Sequence, residues 1–172
     1  MLPDTNEIVP AARFLGMWIL FAALLWVVFS PLELSLQEIE TMHVRSLLSS
    51  VGVSTSDAGN SIQFWMSGKR IEISALCSGM LEMILLASAI LATPIRTVRA
   101  RILGVVAGVG VLYVFNLFRM VVTLLQLEHT SLAFATLTHD VLFRLVLIVG
   151  FALVYWVWLH AERIYARMGR FP

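Results

Sequence analysis

Cysteine occurs once in this chain, at Cys77, and lysine once, at Lys69. A lone thiol excludes an intramolecular disulfide, a Cys-rich metal site and redox chemistry that needs a cysteine pair. Charge is scarce: 13% of the 172 residues are charged, 12 basic against 11 acidic, for a formal net charge of +1. Without a basic excess, nothing points to nucleic acid as a partner. No cluster of potential ligands stands at metal-binding spacing, so neither a metal nor an organic cofactor is expected. Internal repeats and low-complexity stretches are also missing.

What is present is apolar side chain, 59% of the sequence, with a mean hydropathy of +0.88. A soluble domain of this length has too little interior to hide that surface, so lipid must serve as part of the solvent. Apolar runs at residues 14–29, 75–92, 102–125 and 141–159 predict about four transmembrane helices in a single all-α membrane domain. Arg96, Arg99 and Arg101 lie between the second and third runs, and Arg163, Arg167 and Arg170 follow the fourth. The remaining loops hold only Arg45, Lys69 and Arg70. Basic residues stay inside, so both termini are expected in the cytoplasm and residues 30–74 and 126–138 on the outer face of the cell membrane. Pro31 after Val28-Phe29-Ser30, and Asp4 and Glu7 ahead of the first run, read as an uncleaved anchor rather than a signal peptide.

Within the 30–74 loop, Leu36, Ile39, Met42, Leu47 and Leu48 recur near helical spacing, which predicts an amphipathic helix on the membrane surface. Ile62, Phe64 and Met66 alternate with polar positions, Ser67-Gly68 can turn, and Ile71 and Ile73 alternate again. That pattern predicts a β-hairpin delivering the chain to Cys77. Gly104, Gly108 and Gly110 mark where the third span approaches its neighbours.

This topology puts three reactive side chains in one outer layer. Cys77 lies near the outer end of the second span and His139 at the outer entrance of the fourth. Arg119 lies about 9 Å below the outer end of the third, within reach of the interface by extension of its side chain. A thiolate is the nucleophile of choice, and a neighbouring cation favours it over the thiol. An imidazole can take a proton and return it to a leaving amine, and a guanidinium can hold an oxyanion. Each residue has a plainer reading too: Cys77 as a small buried hydrophobe, His139 as an interfacial polar residue, Arg119 as a structural partner of Glu82 or Asp140.

Other polar residues read as supporting or structural. Asn116, one helical turn before Arg119, can orient the guanidinium or hydrogen-bond across helices. Asp140, adjacent to His139, can orient the imidazole. Glu82 and Arg144 each follow Cys77 and His139 by five residues, a matched depth that suggests an ion pair between spans. His43, His129 and His160 read as surface residues, and the aromatics of 155–158 as an interfacial belt.

The run Ser74-Ala75-Leu76-Cys77-Ser78-Gly79 is similar to the Ala-Cys-Ser/Thr/Asn-Gly motif of the exosortase and archaeosortase family. Asn116-Leu117-Phe118-Arg119 resembles that family's Asn-x-x-Arg motif, and His139 stands at its third catalytic position. The resemblance covers roughly residues 71–158 and is to the compact members with little beyond the core. It implies a membrane-embedded cysteine transpeptidase or protease. The implied substrates are secreted proteins with a C-terminal sorting signal, composed of a short motif, a hydrophobic helix and a basic tail. The implied roles are nucleophile for Cys77, oxyanion or thiolate stabiliser for Arg119, and acid/base for His139. Some archaeal members carry Arg at the third position, where this chain has His139. The acyl acceptor would be water or an amine, a membrane lipid headgroup suiting the location. Two rival readings remain: a non-catalytic assembly factor for surface proteins, and a transporter subunit using Arg119, Glu82 and Arg144 as pathway residues. The spans show no polar stripe below Glu82 and Arg144, which disfavours the transporter.

Overall fold

The computed structural model describes the backbone of residues 5–94, 97–129 and 143–168, and the side chains of 10–94, 97–127 and 145–161. Among the described residues, five α-helices and a small sheet follow in the order α1 (Thr5–Phe29), α2 (Glu33–Ser50), β1 (Thr55–Asp57), β2 (Gln63–Met66), β3 (Lys69–Glu72), α3 (Met80–Ala92), α4 (Val98–His129) and α5 (Phe143–Met168). The chain is thus mostly helical. Among the described residues, two helices are long and apolar enough to cross a membrane alone, Pro10–Ser50 and Val98–Leu127, while Met80–Ala92 and Leu145–Ala161 are shorter apolar helices.

The first of these joins α1 to α2 through a tight turn of 3-10 helix at Ser30–Leu32. Its apolar stretch ends there, because Glu33, Gln37, Glu38, Glu40 and Arg45 make α2 amphipathic rather than membrane-spanning in composition. The expected apolar face of α2 is largely exposed, with Ile39, Met42 and Leu47 all outward. Buried against the protein are Gln37, Glu40, Thr41, Val44 and Leu48, so a mixed polar stripe meets the rest of the fold.

The hairpin forms where alternation and turn chemistry place it. β2 and β3 pair antiparallel with Met66 opposite Lys69. Ser67 and Gly68 both take positive φ, 50° and 75°, as a two-residue hairpin turn requires. A third strand, β1, pairs with β2 from the other side. It was not expected from sequence, since Thr55-Ser56-Asp57 carries no apolar alternation. Phe64 and Met66 are buried in a cluster with Val44, Leu48, Ile73, Met120 and Leu124, which fastens the sheet to α2 and α4. Lys69 Nζ donates to the Leu127 carbonyl at 2.9 Å, placing a cation at the C-terminal end of α4 where the helix dipole favours it.

A second cluster, of Met83, Leu86, Ile90 and Leu112 with Val154 and Trp158 against it, holds α3, α4 and α5 together. Two of the three expected glycine approaches occur here. A Cβ on Gly104 would lie 2.1 Å from the Trp158 indole nitrogen, and one on Gly108 would lie 2.9 Å from Leu86, whereas Gly110 faces open space. The aromatics near the end of α5 divide: Trp156 is exposed, but the Tyr155 hydroxyl shares a 2.8 Å hydrogen bond with Thr93, and Trp158 packs inward. On the other side of α3, the Trp18 indole donates to the Leu85 carbonyl at 3.1 Å and ties in α1.

Candidate active site

Cys77 sits in a turn, three residues before α3, rather than inside the second helix as its hydropathy run implied. The turn is closed by the Cys77 N–H donating to the Ser74 carbonyl at 2.8 Å, and the Ser74 hydroxyl lies 3.3 Å from Sγ. Ser78 is fully buried, its hydroxyl donating to the Ala75 carbonyl at 2.9 Å. Gly79 then takes φ +65° and ψ +10° as the residue before the helix. A side chain here would meet strain from the left-handed backbone and contact from Asn116, whose Cγ would be 3.0 Å from an added Cβ. The glycine lets the cysteine turn lie directly against α4.

Two side chains of α4 close on that turn. Asn116 Nδ2 and Arg119 Nη2 each donate to the Cys77 carbonyl oxygen, both at 2.9 Å. Both residues are buried, each 1% exposed. A carbonyl oxygen has two lone pairs, so one acceptor can take both donors. The cysteine backbone is thereby fixed, and the guanidinium is held beside the residue that carries the thiol. Asn116 thus bonds across elements, one of the two uses its position allowed.

Sequence reasoning missed a fourth member. Glu40 of α2 is 0% exposed, and its Oε1 accepts the second Asn116 Nδ2 hydrogen at 3.1 Å. Burial pushes its carboxyl up to about 8, against the lowering pull of the Asn116 hydrogen bond and the Arg119 charge. One turn further on, His43 Nδ1 and the Tyr113 hydroxyl share a 2.7 Å hydrogen bond. His43 is therefore half-buried and partnered, not a surface residue, because Tyr113 reaches it from the facing helix. His160 is also engaged, donating from Nδ1 to the Trp156 carbonyl at 2.9 Å. The signal for Glu40 and His43 was their shared i, i+3 spacing on α2, matched by Tyr113 and Asn116 on α4.

Of the remaining expected site residues, His139 and Asp140 lie outside the described residues, as does the His129 side chain. Glu82 stands in the first turn of α3, while the Arg144 side chain is not among those described, so their pairing is neither made nor broken here.

An apolar groove of about 870 Å³ opens between the α1–α2 rod and the α3–α4 pair. Leu25 and Leu91 line it, as do Met80, His43 and Tyr113 at the end nearer the cysteine turn.

The two segments that converge on one carbonyl oxygen, 74–79 and 116–119, are those singled out in the sequence. No curated protein and no solved structure matches the chain. Residues 8–161 do match the family model described as Transmembrane exosortase (Exosortase_EpsH). That match spans nearly the whole chain, and the protein belongs to the transmembrane exosortase family.

Proposed function

We propose that this protein is a membrane-embedded cysteine peptidase or transpeptidase that removes C-terminal sorting signals from secreted proteins at the outer face of the cell membrane. The observation that carries the reading is the shared Cys77 carbonyl: Asn116 and Arg119, 39 and 42 residues away in sequence, both donate to it. Membership of the exosortase family supports the same reading.

In this reading α1, α3, α4 and α5 provide four crossings, with both termini cytoplasmic. α3 has 13 residues, about 20 Å of helix, and spans only together with the turn that precedes it. The sheet and α2 lie outside. The substrate's hydrophobic tail lies in the groove, whose wall runs along α3 from Leu91 to Met80, three residues from Cys77. A tail seated there presents the preceding peptide bond to the thiol.

The Cys77 thiolate attacks the scissile carbonyl carbon, forming a C–S bond and a tetrahedral oxyanion that the Arg119 guanidinium offsets. His139 gives a proton to the leaving amine as the C–N bond breaks. The tail departs and a thioester remains on Cys77. Water, or a membrane lipid amine, then attacks the thioester and regenerates the thiol. Asn116 holds the cysteine turn, Asp140 orients His139, and Glu82 and Arg144 pair between helices.

The test is co-expression of a tagged secreted protein bearing such a tail with wild type or Cys77→Ala. Wild type should shorten the substrate, and Cys77→Ala should accumulate the full-length form. Processing that survives Cys77→Ala rejects the cysteine mechanism and leaves the assembly-factor reading. A product bearing only a free C-terminal carboxylate rejects transfer to an amine.

A further inference from the structure

Glu40 is the one fully buried acid among the described residues, and it sits in the second layer of the cysteine site. Its Oε1 and the Cys77 carbonyl oxygen both take hydrogens from the same Asn116 nitrogen, at 3.1 and 2.9 Å. A primary amide nitrogen carries two hydrogens, so this arrangement uses both. Glu40 Oε1 and the Cys77 carbonyl oxygen are both acceptors here. With one on either side, the Asn116 carboxamide has a single favourable orientation, nitrogen toward both. Remove the carboxylate, and Asn116 loses the partner that keeps its N–H on the cysteine turn.

Burial holds the Glu40 carboxyl protonated up to about pH 8 against the pull of Arg119, equally enclosed one turn beyond Asn116, so Glu40 gains its charge over the range in which an ordinary thiol ionises. The groups that act on Glu40 are Asn116 and Arg119 from α4 and Cys77 from the turn before α3, and Tyr113 of α4, itself hydrogen-bonded to His43, feels the Glu40 charge. From the sheet, Asp57 is engaged with Arg45 and faces solvent. Arg119 is thus the cation that Glu40 and the thiolate share. Glu40 Oε2 has no hydrogen-bond partner among the described residues, so the carboxylate is not merely a satisfied structural acceptor. A glutamine would have met the Asn116 bond without a group that can ionise.

We propose that Glu40 is a positioning residue of the cysteine site: it fixes the Asn116 carboxamide on the Cys77 carbonyl and, once ionised, draws on the same Arg119 charge as the thiolate. This rests on the reading of Cys77 as the nucleophile. It joins α2, an element outside all of the recognised motifs, to the chemistry.

Because Cys77 is the only thiol in the chain, alkylation of the full-length protein in lipid vesicles reads the site without any substrate. The measurement is the iodoacetamide alkylation rate of wild type, Glu40→Gln and Glu40→Leu from pH 5 to 10. Glu40→Gln keeps an acceptor for Asn116 and removes the ionisable group. Below about pH 8, where Glu40 holds its proton, the variant's rate should track wild type; above it, where wild type gains a negative charge beside the thiol, the variant should alkylate faster, by up to about tenfold. Glu40→Leu removes the acceptor as well and should lose substrate processing at least tenfold, with Glu40→Gln restoring part of it. A Glu40→Gln curve that superimposes on wild type overturns the proposal, and it decides the matter alone if Glu40→Leu does not fold. Full processing by Cys77→Ala would instead reject the peptidase reading, while the alkylation curves would still report whether Glu40 conditions the thiol.

Discussion

Replacing Gly79 with alanine adds one methyl group at the tightest point between the cysteine turn and α4. Gly79 has φ +65°, and an L-residue held there carries roughly 1–2 kcal/mol of backbone strain. The new Cβ would lie 3.0 Å from Asn116 Cγ and 3.2 Å from each of its amide heteroatoms, so Asn116 must retreat by a few tenths of an ångström. Retreat stretches the bonds to the Cys77 carbonyl and to Glu40, and losing one such bond costs about 1 kcal/mol. The total is about 2–3 kcal/mol. The assay is reversible unfolding in mixed micelles, paired with substrate processing. Gly79→Asn separates the two contributions, since asparagine tolerates the left-handed region but keeps the Cβ contact; it should recover stability more than activity. Gly110→Ala is the control, with nothing within 4 Å of the added atom. A Gly79→Ala protein within about 0.5 kcal/mol of wild type and fully active would refute the argument.

Gly104→Ala should destabilise the fold by about 1–3 kcal/mol, because a Cβ 2.1 Å from the Trp158 indole nitrogen drives the ring off its seat. Unchanged unfolding, or unchanged Trp158 fluorescence, would show that the packing is looser than described. Arg119→Lys keeps the charge but loses the planar fork that reaches the Cys77 carbonyl; processing should fall at least tenfold, and full activity in the lysine variant would reduce Arg119 to a point charge. Stability should also depend on pH through Glu40. Its carboxyl is raised from 4.5 to about 8 on folding, so the folded state holds its proton more tightly than the unfolded chain. The contribution is complete below pH 4.5 and is lost as pH rises toward about 8, and Glu40→Gln should flatten the profile in that window. An equally steep profile in the variant would assign it to another group.

The parts of the fold that were legible in the sequence share a local cause. Phe64 and Met66 alternate across a pleat, and Ser67-Gly68 supplies the positive φ of a two-residue turn, so hairpin and register followed. The start of α3 did not. Hydropathy cannot separate Ala75-Leu76-Cys77 from the helix behind it, whereas the left-handed Gly79 ends the turn and lets the helix begin only at Met80. β1 was invisible because Thr55-Ser56-Asp57 has no apolar side chain to bury and forms by pairing with β2, Thr55 opposite Met66 and Asp57 opposite Phe64. Cys77, Asn116 and Arg119 were found through their types and motif spacing, but no local pattern says that two of them donate to the backbone of the third.

Glu40 was missed for a reason that concerns the solvent. On a soluble protein, Leu36, Ile39, Met42 and Leu47 would mark the buried face of α2, and Glu40 the wet one. Beside a membrane the apolar face can meet lipid, and the polar stripe is then free to meet protein. Here Ile39, Met42 and Leu47 are outward while Glu40 is fully enclosed. The inversion has a chemical consequence. Water competes for every hydrogen bond at an exposed polar seam, but it is excluded where Glu40, Asn116 and Arg119 meet, so each bond there holds its geometry more strongly. A cysteine whose carbonyl is gripped by two such donors is held in place before any substrate arrives. The helix that looked most like a passive surface element is, on this argument, the wall that keeps the site dry.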